Sequence, residues 1–265
     1  MSTARFTPER YDERIVRIAA GVEPRGTLGG RVAGRLRVLV EDAPKPLHAW
    51  RRWRPGETLD DFLGRLDRHR TGRFARLHGT GLRGGDVVLR LTEAGGRGVV
   101  PRRVVITVPT PDTAGEMHVV ELFPGAAAPL PSRCTVVRGR VTTGAAVPVR
   151  WARVRATDED GADVGWAHGD DRGEFVLVVT PAETAVGPAD DPYAVRLTVS
   201  AALPARSPDP GDPLRPTVDP LWDLPAEPLP AAGSGRLPLP GQAQFGPFPF
   251  DLPLGRETSI PISVP

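Results

Sequence analysis

The sequence predicts a mainly β protein: two small β-sandwich domains, one short helix and long proline-rich extended segments. Three observations predict it. Glycine and proline number 30 and 31 in 265 residues, and both weaken helix interiors. Short alternating or continuous apolar runs recur between turn-forming clusters, as strands do. Only one segment combines helical spacing with a cap.

Residues 1–30 read as an N-terminal arm. Ile15, Val16 and Ile18 fit one amphipathic turn or a short strand, and Pro24, Gly26, Gly29 and Gly30 break it. Residues 31–109 read as the first β domain. Leu36, Val38 and Val40 alternate as on a half-buried strand. The helix candidate is Thr58–Leu66, where Thr58 caps, Asp60 and Asp61 sit in the first turn, and Leu59, Phe62, Leu63 and Leu66 share a face. Strands follow through Phe74 to Leu77, Val87 to Leu91 and Val104 to Val108. Residues 110–133 read as a linker, with a short strand from Met117 to Phe123.

Residues 134–202 read as a second β domain. Its strands are Val136 to Val141, Val149 to Ala156, Val164 to Ala167, Phe175 to Val179 (apolar enough for a central strand) and Tyr193 to Val199. Asp158 to Gly161 makes a hairpin turn. Residues 203–265 read as a proline-rich arm with a terminal strand at Thr258 to Val264. Fourteen prolines fall in residues 203–253, which argues against a sheet ladder or a helix there and for extended, polyproline-like chain. The halves echo each other: Gly72-Arg-Phe-Ala-Arg-Leu77 matches Gly173-Glu-Phe-Val-Leu-Val178, and Ile106-Thr-Val-Pro109 matches Ile262-Ser-Val-Pro265.

Composition narrows function. Hydrophobic residues are 40% and charged residues 25%, with a net charge of +2, which fits a globular chain. Lys45 is the sole lysine. The only arginine concentration, Arg51, Arg52 and Arg54 around Trp50 and Trp53, reads as a solvated hairpin arm, so no nucleic-acid partner is expected. No run approaches the ~18 apolar residues of a membrane helix, and Met1 to Ala20 lacks the apolar stretch of a secretory signal. A single cysteine makes no internal disulfide. The expected location is the cytoplasm, or a particle assembled there.

The second domain carries a family signal. It runs Val137-Arg138-Gly139-Arg140-Val141, then Pro148-Val149 with Ala152-Arg153-Val154, then Asp170-Asp171-Arg172-Gly173-Glu174-Phe175. This resembles the carboxypeptidase regulatory-like domains, which are transthyretin-like β-sandwiches. The resemblance implies that Gly139 permits close approach or a bulge, that Pro148 ends a hairpin arm, that Gly173 supplies a left-handed turn residue, and that Phe175 plugs the space between sheets. It specifies a fold and no activity, since such domains bind, space or stiffen. They often accompany exported proteins. Components of phage-tail-like contractile injection particles, built in the cytoplasm, reconcile that habit with the N-terminus.

The residues nominate no catalyst. His48, His69, His78, His118 and His168 show no zinc-type spacing; His69 and His78, nine apart across an expected turn, read as surface histidines, and Cys134, with no histidine base in sequence reach, reads as a buried structural thiol. Asp158, Glu159, Asp160 and Asp163, with Asp170 and Asp171 on the next turn, lack the full calcium-loop pattern and read as an acidic hairpin rim. The glycine-rich stretches 26–34 and 79–85 lack the residues of a nucleotide loop, and no Gly-x-Ser-x-Gly elbow occurs. Two enzyme families with related sandwiches fit poorly. Hydroxyisourate hydrolases end in Tyr-Arg-Gly-Ser where this chain has Ile-Ser-Val-Pro, and intradiol dioxygenases need two iron-binding tyrosines where Tyr11 and Tyr193 stand in unrelated contexts.

The expectation is therefore a non-enzymatic structural or assembly protein of a large complex, without cofactor or metal. Its partners would be other protein subunits, further copies of itself included. Trp222, Phe245, Phe248, Phe250 and Trp53 are the candidate partner-binding residues. Trp151 and Trp166 are expected to cover core and sheet edge. The alternative is a module that binds carbohydrate or a cell-surface ligand through exposed tryptophans.

Overall fold

The computed structural model describes residues 17–29, 35–42, 64–78, 82, 84–95, 98–180, 192–204, 221–229, 235–239 and 241–265. Among the described residues every regular element is a β-strand. Most of the expected helix Thr58–Leu66, together with Trp50, Trp53 and His48, lies outside them. The end of that segment, Gly64–Arg65, is extended.

The first sandwich uses β1 (Ile18–Gly26), β2 (Leu36–Asp42), β3 (Gly64–Arg65), β4 (Asp67–Arg68), β5 (Phe74–Leu77), β6 (Gly85–Glu93), β7 (Arg102–Val108) and β8 (Met117–Leu122). One sheet has the order β4-β5-β1-β8, and β3-β2-β6-β7 forms most of the other. Period-2 alternation puts Val104, Ile106 and Val108 of β7 into a shared core with Val38, Leu89 and Val22. Two expected boundaries move. Residues 18–26 are no arm: β1 is flanked by β5 and β8, and Ala19, Ala20 and Val22 are buried. The expected linker contributes β8, which runs parallel to β1.

The second sandwich uses β9 (Thr135–Thr143), β10 (Arg153–Thr157), β11 (Asp163–His168), β12 (Glu174–Val179), β13 (Tyr193–Ala201), β15 (Ala243–Leu252) and β16 (Glu257–Val264). The intervening β14 (Ala226–Pro228) belongs elsewhere. The sheets are β11-β10-β13-β15 and β12-β9-β16, and both contribute to one core through Val154, Leu197, Leu252, Val137, Leu177 and Ile262. The sandwich is therefore not complete at residue 202. β13 needs β15 beside it, and β9 needs β16. β12, expected to be central, is an edge strand of its sheet. It is nonetheless buried because β11 of the facing sheet packs alongside.

The two sandwiches share one topology. β3-β2-β6-β7 corresponds to β11-β10-β13-β15, all neighbours antiparallel. β5-β1-β8 corresponds to β12-β9-β16, with one antiparallel and one parallel neighbour in each. The Gly72 and Gly173 segments are equivalent, and both glycines hold positive φ, 82° and 72°. The second sequence echo is different: Ile106 lies in β7 and Ile262 in β16, which occupy non-equivalent places.

β15 corrects the expectation that the proline-rich stretch carries no ladder. It contains Pro247 and Pro249 and pairs with β13 alone. An edge strand tolerates missing amides on its open side. Phe245, Phe248 and Phe250 lie half-buried on β15 against the second core.

Gly139 shows why a side chain is missing in mid-strand. A Cβ there would stand 2.3 Å from the Phe175 ring and 2.6 Å from the Ile260 carbonyl oxygen. Phe175 pairs with Gly139 across the ladder, and its ring fills that space. Gly139→Ala should destabilise the protein by about 2 kcal/mol through overpacking, read as a lower urea midpoint at unchanged m-value. An unchanged midpoint would contradict this packing.

Candidate functional site

The polar site of this chain lies where the proline-rich segment crosses both sandwiches. Between β13 and β15 the chain leaves the second sandwich, and β14 pairs in parallel with β7 at the edge of the first. Residues 221–229 and 235–239 thus form a strap. Leu224 is buried, Leu229 packs on the first core, and the Leu229 amide donates to the Val105 carbonyl at 3.2 Å.

Glu227 of the strap is the centre. Its Oε1 accepts from Arg102 Nε of β7 at 2.8 Å, and its Oε2 accepts from Arg153 Nη2 of β10 at 2.6 Å. One carboxylate therefore holds an arginine from each sandwich, and all three side chains are less than a tenth exposed. Arg102 Nη1 also donates to the Glu121 carbonyl at 2.5 Å, and Arg153 Nη1 donates to the Leu237 carbonyl. Gly235 must be glycine, because its φ is +63° and a Cβ would lie 2.8 Å from the Arg102 guanidinium.

His168, at the end of β11, completes the cluster. Its Nε2–H donates to the Gly235 carbonyl at 2.8 Å, and its ring stacks on Phe123 with centroids 3.8 Å apart. Burial, and then the charges of Arg153 and Arg102, hold its pKa well below the ordinary 6.5. His168 is 6% exposed, and as a neutral ring beside two guanidinium groups it fills space and caps a carbonyl. For Glu227, burial acts to raise the pKa. The Arg102 hydrogen bond and the charges of Arg102 and Arg153 outweigh it and bring the value to about 2.

A second anchor lies a few residues earlier. Asp223 takes a bidentate pair from Arg150, with both contacts at 2.7 Å, and the Trp151 indole N–H donates to it at 2.9 Å. Arg103 Nη1 donates to the Leu224 carbonyl at 2.6 Å, and its Nε reaches Glu41, which also pairs with the buried Arg90.

Around Glu227 this arrangement holds the sandwiches together and leaves little room for a substrate, whereas the Asp223 anchor borders a cleft of about 620 Å³ lined by Arg150, Trp151 and Asp223. The space beside Arg102, Arg153, His168 and Glu227 is about 20 Å³. Each carboxylate oxygen of Glu227 accepts from a guanidinium, and a pKa of about 2 makes it a weak base. Among the described residues no three His, Cys, Asp or Glu side chains gather as a metal site. Cys134 is half-buried, and His69 and His118 lie apart from the cluster. Asp170, a calcium candidate, caps its own turn by accepting the Arg172 and Glu174 amides at 2.8 and 2.9 Å. Of the nominated partner-binding residues, Trp222 is half-buried in the strap and the three phenylalanines line β15.

Sequence reasoning missed Glu227, Arg102, Arg153 and Asp223. Arg102 did carry a signal, since it stands in register with Val104, Ile106 and Val108 and so points inward at the strand end. Arg153 stands on an outward position of β10 that the strap covers, and Glu227 and Asp223 belong to the strap itself, buried where it lies on the sandwiches.

No family model and no curated protein matches the chain. Three solved structures overlap it weakly. The Bacillus anthracis TIE protein gives 9% identity, 93% of this chain and 34% of that one, with a TM-score of 0.28. The streptococcal ancillary pilin gives 9% identity, 95% and 63% coverage, and 0.25. The shaft pilin spaA of Lactobacillus rhamnosus GG gives 8% identity, 94% and 98% coverage, and 0.25. The chain thus spans about a third of the first and less than two thirds of the second. The fold assignment rests on the strand order above.

Removing the Glu227 charge should uncouple the sandwiches. Glu227→Gln leaves two buried guanidinium groups without a counter-charge and should cost about 3–5 kcal/mol, read by urea denaturation. Acid should act in two stages. A histidine kept neutral by burial takes a proton in the unfolded chain first, so stability falls as pH drops below 6.5. A carboxylate depressed from 4.5 to about 2 contributes fully above pH 4.5 and loses its contribution as pH falls through that interval, by about 3 kcal/mol in all. In His168→Gln the first stage should vanish and the second remain, measured as denaturation midpoints at successive pH values. A first stage unchanged in that variant would rule out His168 as its source.

Proposed function

We propose that this chain is a non-enzymatic structural subunit of a large assembly. The single observation that carries the reading is the Arg102–Glu227–Arg153 lock. This buried polar cluster is consumed in fixing the relation of the sandwiches. Rigid spacing of two binding platforms is what such a lock supports. The expected docking mode changes accordingly: the strap, β15 and β16 lie on the chain's own sandwiches, so contacts to neighbours fall to the outer surfaces and loops.

The assembly proposed is a phage-tail-like contractile injection particle, a choice that rests on the residue pattern of 134–202 and not on the geometry. Gradient fractionation of lysate from the native host should place the chain in a high-mass fraction together with sheath and tube subunits. Recovery only as a small free species would overturn the assembly role, and recovery with other partners would overturn the particle class alone.

A second reading, a carbohydrate-binding module, draws on Trp166. It lines a cleft of about 260 Å³ with Asp163, Thr180 and Arg236, and Arg155 lies 5.9 Å from its ring centroid. Glycan-array binding that disappears in Trp166→Ala would favour it.

A further inference from the structure

Two oppositely charged features lie near the Gly26–Gly29 turn. The first is a groove of about 680 Å³ beside β1 and β5, lined by Arg25, Arg68, Arg70, Arg73, Thr71 and Glu23. Its single carboxylate is already committed: Glu23 pairs with Arg25 and Arg73, both at 2.8 Å. Arg68 lies over the Phe74 ring at 5.9 Å, and Arg70 makes no ion pair among the described residues. Four exposed guanidinium groups against one carboxylate leave the groove strongly positive.

The second feature is the β10–β11 hairpin, with Glu159 and Asp160 exposed at its tip and Asp163, also exposed, already paired with Arg155. Its turn is fixed by Gly161 at φ +84° and by the Ala162 amide donating to Asp158 at 2.8 Å. A hairpin so braced presents its carboxylates at low entropic cost.

The run from Gly26 to Gly29 joins the two. Gly26 and Gly29 line the arginine groove, and Thr27 and Leu28 line the cleft that contains Asp163. Leu28 between them is 42% exposed. Adjacent patches of opposite sign are self-complementary under a two-fold rotation, since each patch then meets its complement on the other copy. We propose that this region binds a second copy of the chain, each acidic hairpin seated in the other copy's arginine groove and Leu28 meeting its counterpart near the axis. The occupant is specified by charge complementarity, which steers and selects partners. This deepens the structural-subunit reading by naming one of its contacts.

Sedimentation of the full chain tests it. The expected mass at ~0.05 M salt is twice the 28.4 kDa of one chain. The dimer should weaken strongly at ~0.5 M, where the Debye length falls to a few ångströms. Arg70→Glu and Asp160→Arg should each weaken the dimer about tenfold or more, since both contacts are mismatched in either homodimer. Mixing the two variants should restore it, because one contact is then native and the other is reversed in sign on both sides. The double variant should also dimerise, which separates a broken contact from a broken fold. A monomer under all salt conditions, a dimer indifferent to both reversals, no recovery on mixing, or mass growing past two copies would each overturn the two-fold contact. None of these outcomes bears on whether the chain enters a larger particle, which the host fractionation reads separately.

Discussion

Glu227 is buried as an ion because an arginine holds it from either side, and the joint between the sandwiches depends on that pairing. A carboxylate taken out of water is costly unless its charge and lone pairs are met. Here Arg102 and Arg153 meet them, and each comes from a different body. Moving either sandwich by an ångström or two would strip a buried ion of its partner. The interaction adds little net stability compared with an apolar contact of the same volume. Its effect is to make one relative orientation far better than its neighbours, which fixes the geometry of the two sandwiches.

The duplicated topology shows where this joint came from in structural terms. In the first sandwich the connection from β6 to β7 is short. In the second, the corresponding connection from β13 to β15 spans residues 202–242, and the strap lies in it. Proline-rich chain suits that task. It has few competing helical or sheet conformations, and it is already extended before it docks. Its carbonyls remain available as acceptors, and Leu224, Gly235 and Leu237 each supply one to an arginine or histidine below.

Much of the fold was legible in the sequence and little of the site was. Alternation in β2 and β7 and the apolar run of β12 announce strands, because a half-buried sheet imposes a period of two. Gly72 and Gly173 mark equivalent turns by the backbone they require. Proline density misled at β15, since prolines are compatible with a strand whose outer edge is unpaired, and edge position is a tertiary property. The arm and linker boundaries failed for a related reason: β1, β8, β15 and β16 find their partners across long sequence separations. The buried charges were illegible because Glu227 in Pro225-Ala-Glu-Pro228 looks like solvated linker. Only the crossing of three distant segments takes it from water.

β16 lies beside β9, so the opening strand of the second sandwich waits for residue 264 before its sheet is closed. During synthesis the first sandwich can assemble its β1 to β8 core while the second is still being made. The second exposes β9 and β13 as unpaired edges until almost all of its sequence has emerged. Vectorial production therefore leaves the later half open to mispairing with nascent neighbours for longer. A chaperone that shields bare strands would have most to do there.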